Sequence, residues 1–249
     1  MPLLTGLVSH WKLNEAAGNS RADSHGSNTL SESAATVGSA TGKIGDAAAF
    51  DYEVSGRHLV RTNPASLKPG DTDFTIALWV RISVTPSTIG DGTVMSVINK
   101  AGGTDGEYSA DFHSSTDRFR FTAYGASGYT SGDVVAANNF GAPPDTNFHL
   151  LIVKHDSVNN LLIIKVDNGT ADTTAHTSGV FQSSENFHIG SLPDFSQTHK
   201  GEIDSVSYWS KLTSDAEDTE LWNGGAGLDY ESFGGGGGGN DARIVFRKA

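Results

Sequence analysis

Cysteine is absent from the 249 residues, so neither disulfides nor cysteine-ligated zinc can hold this chain together, and nothing in it reports an oxidising compartment. Basic residues are scarce: 17 Lys and Arg stand against 29 Asp and Glu, for a formal net charge of -12. That balance opposes a nucleic-acid backbone or an anionic membrane surface, which both need clustered cations. Partners should be neutral, cationic or metal-bridged. Long apolar runs are missing too; Leu161-Leu162-Ile163-Ile164 is far too short to span a bilayer. The start, Met1-Pro2-Leu3-Leu4-Thr5-Gly6, lacks the basic residues and apolar stretch of a secretory signal, so a soluble fold is expected to begin almost at once. Helical periodicity is nearly absent as well.

What remains is a succession of short segments rich in Val, Ile, Phe, Trp and Thr between clusters of Gly, Asn, Asp and Ser, the pattern of an all-β antiparallel fold. Expected strands are Leu7 to Leu13, Ala47 to Phe50, His58 to Arg61, Phe74 to Ile82, Val94 to Lys100, Glu107 to His113 and Arg118 to Tyr124. His149 to His155, Leu161 to Val166, Asn186 to Gly190 and Glu202 to Trp209 complete a set large enough for two stacked sheets. Alternation assigns faces: the even positions from Phe74 to Val80, and the odd ones of Arg118-Phe119-Arg120-Phe121, should face a core.

Two turns have clear chemistry. Asp156 to Asn160 should close a hairpin, and Asp167-Asn168-Gly169 tolerates the positive φ of a tight turn. Asn168-Gly169-Thr170 also fits the N-glycosylation acceptor pattern, although a turn alone explains it. One helix is expected at Ser214 to Trp222, with a Ser214–Glu217 capping box and a stop at Gly224, placed to cap the sandwich. After Phe233 come six glycines, Gly234 to Gly239, which read as a linker. Beyond them Asn240 to Ala249 forms a basic, β-prone peptide whose Arg243, Ile244, Val245, Phe246, Arg247 and Lys248 suit strand addition to another subunit. The expected organisation is a sandwich over 1–233, a linker over 234–239 and a docking peptide over 240–249.

Several blocks in order resemble laminin-G-like domains of the concanavalin A-like jelly-roll superfamily, close to its pentraxin-like branch. They are Gly6 to Glu15, Asp23-Ser24-His25-Gly26-Ser27-Asn28, Gly42 to Asp51, Phe74 to Val80, Phe148 to Ile152, Val166 to Gly169 and Gly201 to Val206, with Trp222-Asn223-Gly224-Gly225 closing the helix. The resemblance implies a two-sheet antiparallel jelly-roll sandwich. It also implies a calcium ion at Asp23, Gly26, Asn28 and Asp204, where carboxylate, amide and carbonyl oxygens could converge. The same loop residues also suit a turn in which Asp23 bonds its own backbone, but an unpaired Asp204 buried in a strand would be costly, which favours the ion.

Some relatives in that superfamily are glycoside hydrolases with a Glu-x-Asp-x-x-Glu strand. Glu202 and Asp204 match its first two positions, but Ser207 stands at the third, so the acid and nucleophile pair is incomplete and no enzyme is expected. Neither a His-Glu-x-x-His nor a Gly-x-Ser-x-Gly motif occurs. Aromatics are the better binding signal, because sugars stack on them. Tyr52, Tyr124 and Tyr129 lie in loops, and Tyr129 either contacts a ligand or covers a sheet edge. Trp11, Trp79 and Trp209 belong to strand patterns and should be core or sheet-face residues rather than ligand contacts. The expectation is a non-catalytic structural or adhesion protein of a large assembly, such as a phage virion decoration or fibre protein, displaying a glycan-binding domain anchored by its tail. The alternative is a calcium-dependent carbohydrate-binding module of an extracellular bacterial protein.

Overall fold

A computed structural model describes residues 2–51, 57–84, 94–102, 105–113, 118–125, 134–137, 146–193 and 197–234, with backbone alone at 34 and 134–137. Its strands are β1 (Leu7–Trp11), β2 (Ser31–Ala34), β3 (Gly38–Thr41), β4 (Asp46–Phe50), β5 (Arg57–Arg61), β6 (Phe74–Ile82), β7 (Val94–Gly102) and β8 (Asp105–His113). They continue with β9 (Arg118–Ala123), β10 (Val134–Ala137), β11 (His149–Asp156), β12 (Leu161–Val166), β13 (Asp172–Ala175), β14 (Phe187–Ile189) and β15 (Gly201–Trp209), followed by one helix, α1 (Asp215–Trp222).

These strands form two antiparallel sheets. One runs β13-β12-β11-β6-β15-β4-β3, with β1 paired beside β15 as its eighth strand. The other runs β10-β9-β8-β7-β14-β5-β2. Alternation works as expected on the inner faces: Phe74, Ile76, Leu78 and Val80 of β6 meet Tyr108, Phe112, Phe119 and Phe121 of β8 and β9 in one core. Gly190, at φ +91°, admits the Phe50 ring from the opposite sheet, and a Cβ there would lie 2.2 Å from that ring. Gly190→Ala should therefore lower the melting temperature by about 10 °C, through overpacking and backbone strain together. An unchanged melting curve would show that the ring relocates freely.

The odd positions of β6 do not face water. Ala77 and Trp79 join Leu150, Ile152, Trp209 and Leu221 in a second apolar cluster on the outer face of the eight-stranded sheet. The chain ends supply its cover: Leu3 and Phe233 pack there, and Trp209 Nε1 donates to Leu3 O at 2.6 Å. Helix α1 has only Leu221 fully buried among its apolar side chains, so its ends must do much of the stabilising. Ser214 Oγ accepts from Glu217 N while Glu217 Oε2 accepts from Ser214 N, the expected capping box, worth about 1 kcal/mol. The helix stops at Asn223 in the left-handed region, one residue before the expected Gly224. The hairpin at 157–160 also forms as expected, with Asp156 Oδ1 accepting from Asn159 N at 2.8 Å.

Candidate functional site

The outer face of the seven-stranded sheet is polar yet almost dry. Cross-strand pairing places Ser96 opposite Asp111, Asn99 opposite Ser109, and Asp111 opposite Arg120. His188 of β14 pairs with Asn99 from the other side. None of Ser96, Asn99, Ser109, Asp111 and His188 is more than 6% exposed. A bulge in β7 between Ser96 and Ile98 turns both Val97 and Ile98 into the core and keeps Ser96 and Asn99 on this outer face.

Ser96, Asn99, Ser109, Asp111 and Arg120 line a cleft of about 220 Å³, walled by Tyr124, Leu192 and Gln197. Arg120 grips Asp111 bidentately, Nε to Oδ1 at 3.0 Å and Nη2 to Oδ2 at 2.9 Å. Burial pushes the Asp111 carboxyl up, and the Arg120 guanidinium only partly offsets that. Tyr124 continues the outward parity of β9, and its ring lies over Gly106, where a Cβ would come within 2.7 Å of it. The Ser96 hydroxyl and both His188 ring nitrogens are buried without a hydrogen-bond partner among the described residues. Such groups are costly unless something completes them. Asp111 is the single carboxylate among the described lining residues, whereas glycoside hydrolysis by the usual route needs two.

Of the aromatic candidates, Tyr124 lies in this cleft, while Tyr52 and Tyr129 fall outside the described residues. So do Arg243 to Lys248. Ser96, Asn99, Ser109, Asp111, Arg120 and His188 were not singled out by the sequence; their one signal was outward parity in alternating strands.

Asp23, Gly26 and Asn28 are brought together, but around the Asp23 carboxylate. Its Oδ1 accepts from the N–H groups of His10, His25 and Gly26 at 3.0, 3.1 and 2.8 Å, and Oδ2 accepts from Asn28 N at 2.9 Å. Burial pushes this carboxyl up, but the N–H groups of Gly26, Asn28 and His10 outweigh it and hold the group below its ordinary value. Asn28 spends its side-chain amide on Ser9 Oγ and Ser66 Oγ. Asp204 belongs to a different arrangement: its Oδ2 accepts from Lys43 N and Ile44 N, both at 2.8 Å, which pins the loop between β3 and β4. Burial pushes its carboxyl up to about 7, and Oδ1 has no partner among the described residues. As a set the four do not fit a calcium ion, which needs several free oxygens, because Asp23 has already committed both of its own.

Glu202 and Asp204 lie on the outer side of the eight-stranded sheet. Glu202 Oε2 pairs with Arg81 Nε at 2.7 Å, and Ser207 Oγ is 2.7 Å from His10 Nδ1.

A model of the concanavalin A-like lectin/glucanases superfamily matches residues 54–217. The chain belongs to this superfamily. Its sandwich is similar to solved members of the same architecture. The binding domain of Paraclostridial Mosquitocidal Protein 1 superposes with a TM-score of 0.71 at 10% identity, over 89% of this chain and 53% of that one. The binding domain of botulinum neurotoxin DC in complex with rat synaptotagmin II gives 0.64 at 14%, over 89% and 52%. Trypanosoma rangeli sialidase gives 0.60 at 12%, over 90% and 34%. This superfamily chain thus spans about half the length of the toxin domains and about a third of the sialidase, and at such identities the likeness is one of fold. Among curated proteins, none matches it. No helix among the described residues is long and apolar enough to cross a membrane.

Proposed function

We propose that this domain is a non-catalytic display module that binds a glycan in the Asp111–Arg120 cleft, with its tail fixing it to a larger assembly such as a phage virion. The observation that carries the reading is the cleft itself: a buried polar surface with one neutralised carboxylate, an aromatic wall and the unpartnered Ser96 hydroxyl. Sugars need this mixture, since their hydroxyls both donate and accept while their C–H faces stack on an aromatic ring. Domains of similar fold support recognition as the role, because the botulinum neurotoxin DC binding domain has been solved in complex with rat synaptotagmin II and with SialylT. The lone carboxylate supports binding without cleavage.

The placement of the chain end supports display. Phe233, the last buried residue before the glycines, packs on the eight-stranded sheet, whereas the cleft opens on the outer face of the other sheet. A tether leaving from one side would present the cleft on the other, and many copies would add avidity to weak individual sites.

A glycan array probed with multivalent full-length protein tests the reading. Hits should vanish on Tyr124→Ala, persist after chelation of calcium, and be recovered uncleaved. A blank array would leave a purely structural role, and hits lost on chelation would restore the calcium-dependent alternative. Deletion of residues 240–249 should abolish incorporation into an assembly and leave the array pattern unchanged; unimpaired incorporation would refute the anchoring.

A further inference from the structure

A second cleft, of about 310 Å³, opens on the opposite sheet between the start of α1 and strands β12 and β13. Ile163, Ala171 and Leu212 give it apolar surface, and its charged groups are two lysines and two aspartates, beside the hydroxyls of Thr173, Thr213 and Ser214. Asp218, 1% exposed, is the hub: Oδ2 accepts from Lys154 Nζ at 2.8 Å and Oδ1 from Thr213 Oγ1 at 2.7 Å. Lys154 is further held by Thr213 O at 2.6 Å. Lys165 is not so provided for. It is 7% exposed, yet its ammonium stands 3.5 Å from Asp218 Oδ2 and 3.9 Å from Asp215 Oδ1, both too far for a good hydrogen bond. Asp215 is open to solvent, with 97% of its side chain exposed.

A donor and an acceptor thus face one cleft about a hydroxyl's width apart. An anion there would meet Asp215 and Asp218, and a cation would meet Lys154 and Lys165, so either is opposed by charge. A neutral hydroxyl satisfies both sides, accepting from Lys165 and donating to Asp215. We infer that this cleft is a second saccharide site, taking a neutral hexose whose vicinal hydroxyls bridge Lys165 and Asp215 while its C–H face lies on Ile163 and Leu212. The volume is at the lower end of those that hold small ligands. The site stands independently of the Asp111–Arg120 cleft. With both occupied, one chain would hold sugars on opposite faces and cross-link them.

The test is an amide-resolved NMR titration of the full chain with D-mannose and D-galactose, with cyclohexanol as an apolar control. Saturable shifts in the millimolar range are expected at 171–173 and 212–215, weakened about tenfold or more in Asp215→Ala and retained in Tyr124→Ala. Asp215 is exposed, so that variant should fold. The inference is overturned by an absence of hexose shifts there, by shifts that survive Asp215→Ala, or by equal shifts from cyclohexanol. Loss of shifts at 109–111 alone would count against the first cleft and leave this one standing.

Discussion

Glu107→Gln should cost the fold about 3–5 kcal/mol, more than any substitution at the exposed surface. Lys100 and Glu107 are both wholly buried, 2.7 Å apart. Burial drives the lysine down and the carboxylate up from their ordinary values, each away from its charged form, and their mutual hydrogen bond opposes both shifts. Glu107 Oε1 also accepts from Ser183 N and Ser183 Oγ at 2.9 and 3.0 Å, and Lys100 donates to Glu185 O at 2.8 Å. Removing the negative partner leaves a buried ammonium with only the weaker charge of Glu185 to offset it and loosens the 183–185 segment. The double variant Lys100→Met/Glu107→Gln should recover most of the loss, because neither charge then remains to be desolvated. Urea denaturation of the three proteins decides the matter, and a single variant within about 1 kcal/mol of the parent would mean that water reaches the pair.

Acidification should destabilise the protein between pH 6.5 and 4. Burial is the leading cause that holds His58, His188 and His199 down at about 4 and His10 at about 3. Each folded value is below that of the unfolded chain, so the unfolded state binds more protons in this window. Stability therefore falls as pH drops through 6.5, and the loss is complete only below the folded values. Asp204 acts oppositely: with its folded value raised to about 7, it favours the folded state as pH falls from 7 toward its ordinary range. Four groups outweigh one. At pH 5 each histidine costs about 2 kcal/mol and Asp204 returns a similar amount, for a net loss of roughly 5 kcal/mol, a large share of an ordinary domain's stability. Urea midpoints at pH 7.5 and pH 5 provide the measurement, and equal midpoints would contradict it. Replacing His188 with Gln should flatten the dependence, since its ring already lies unpartnered against His58, 4.9 Å between centroids.

Every strand expected from apolar alternation is present, whereas β2, β3, β10 and β13 were not foreseen. Those four are the edges of the two sheets. Ser-Glu-Ser-Ala, Gly-Ser-Ala-Thr and Asp-Thr-Thr-Ala contain no apolar side chain larger than alanine; they are strands because a neighbour's backbone templates them, and a local pattern cannot report that. The site divides in the same way. Tyr124 was legible as an aromatic beside a loop, able to stack on a sugar, but Ser96, Asn99, Ser109 and Asp111 read as ordinary solvent-facing positions. Only pairing across β7, β8 and β9 brings them side by side and only overlying chain dries them. At Asp23 the residue types suited both a cation and a turn, and only the folded chain shows four backbone N–H groups converging on its carboxylate.

Strand β15 pairs with β6 along one side and, on the other, with β4 over Gly201 to Ile203 and then β1 over Val206 to Trp209; the switch falls at Ser205, whose φ is +51°. It is the last strand among the described residues and the shared neighbour of three made much earlier, the first of them nearly 200 residues before it. During synthesis, β1, β4 and β6 must therefore wait with their pairing edges open until residue 209 has emerged from the ribosome. Such non-local closure folds on the slow side, in milliseconds to seconds. Prematurely terminated chains would carry the apolar Phe74–Ile82 edge bare, which makes them clients for chaperones and proteases rather than partly useful products.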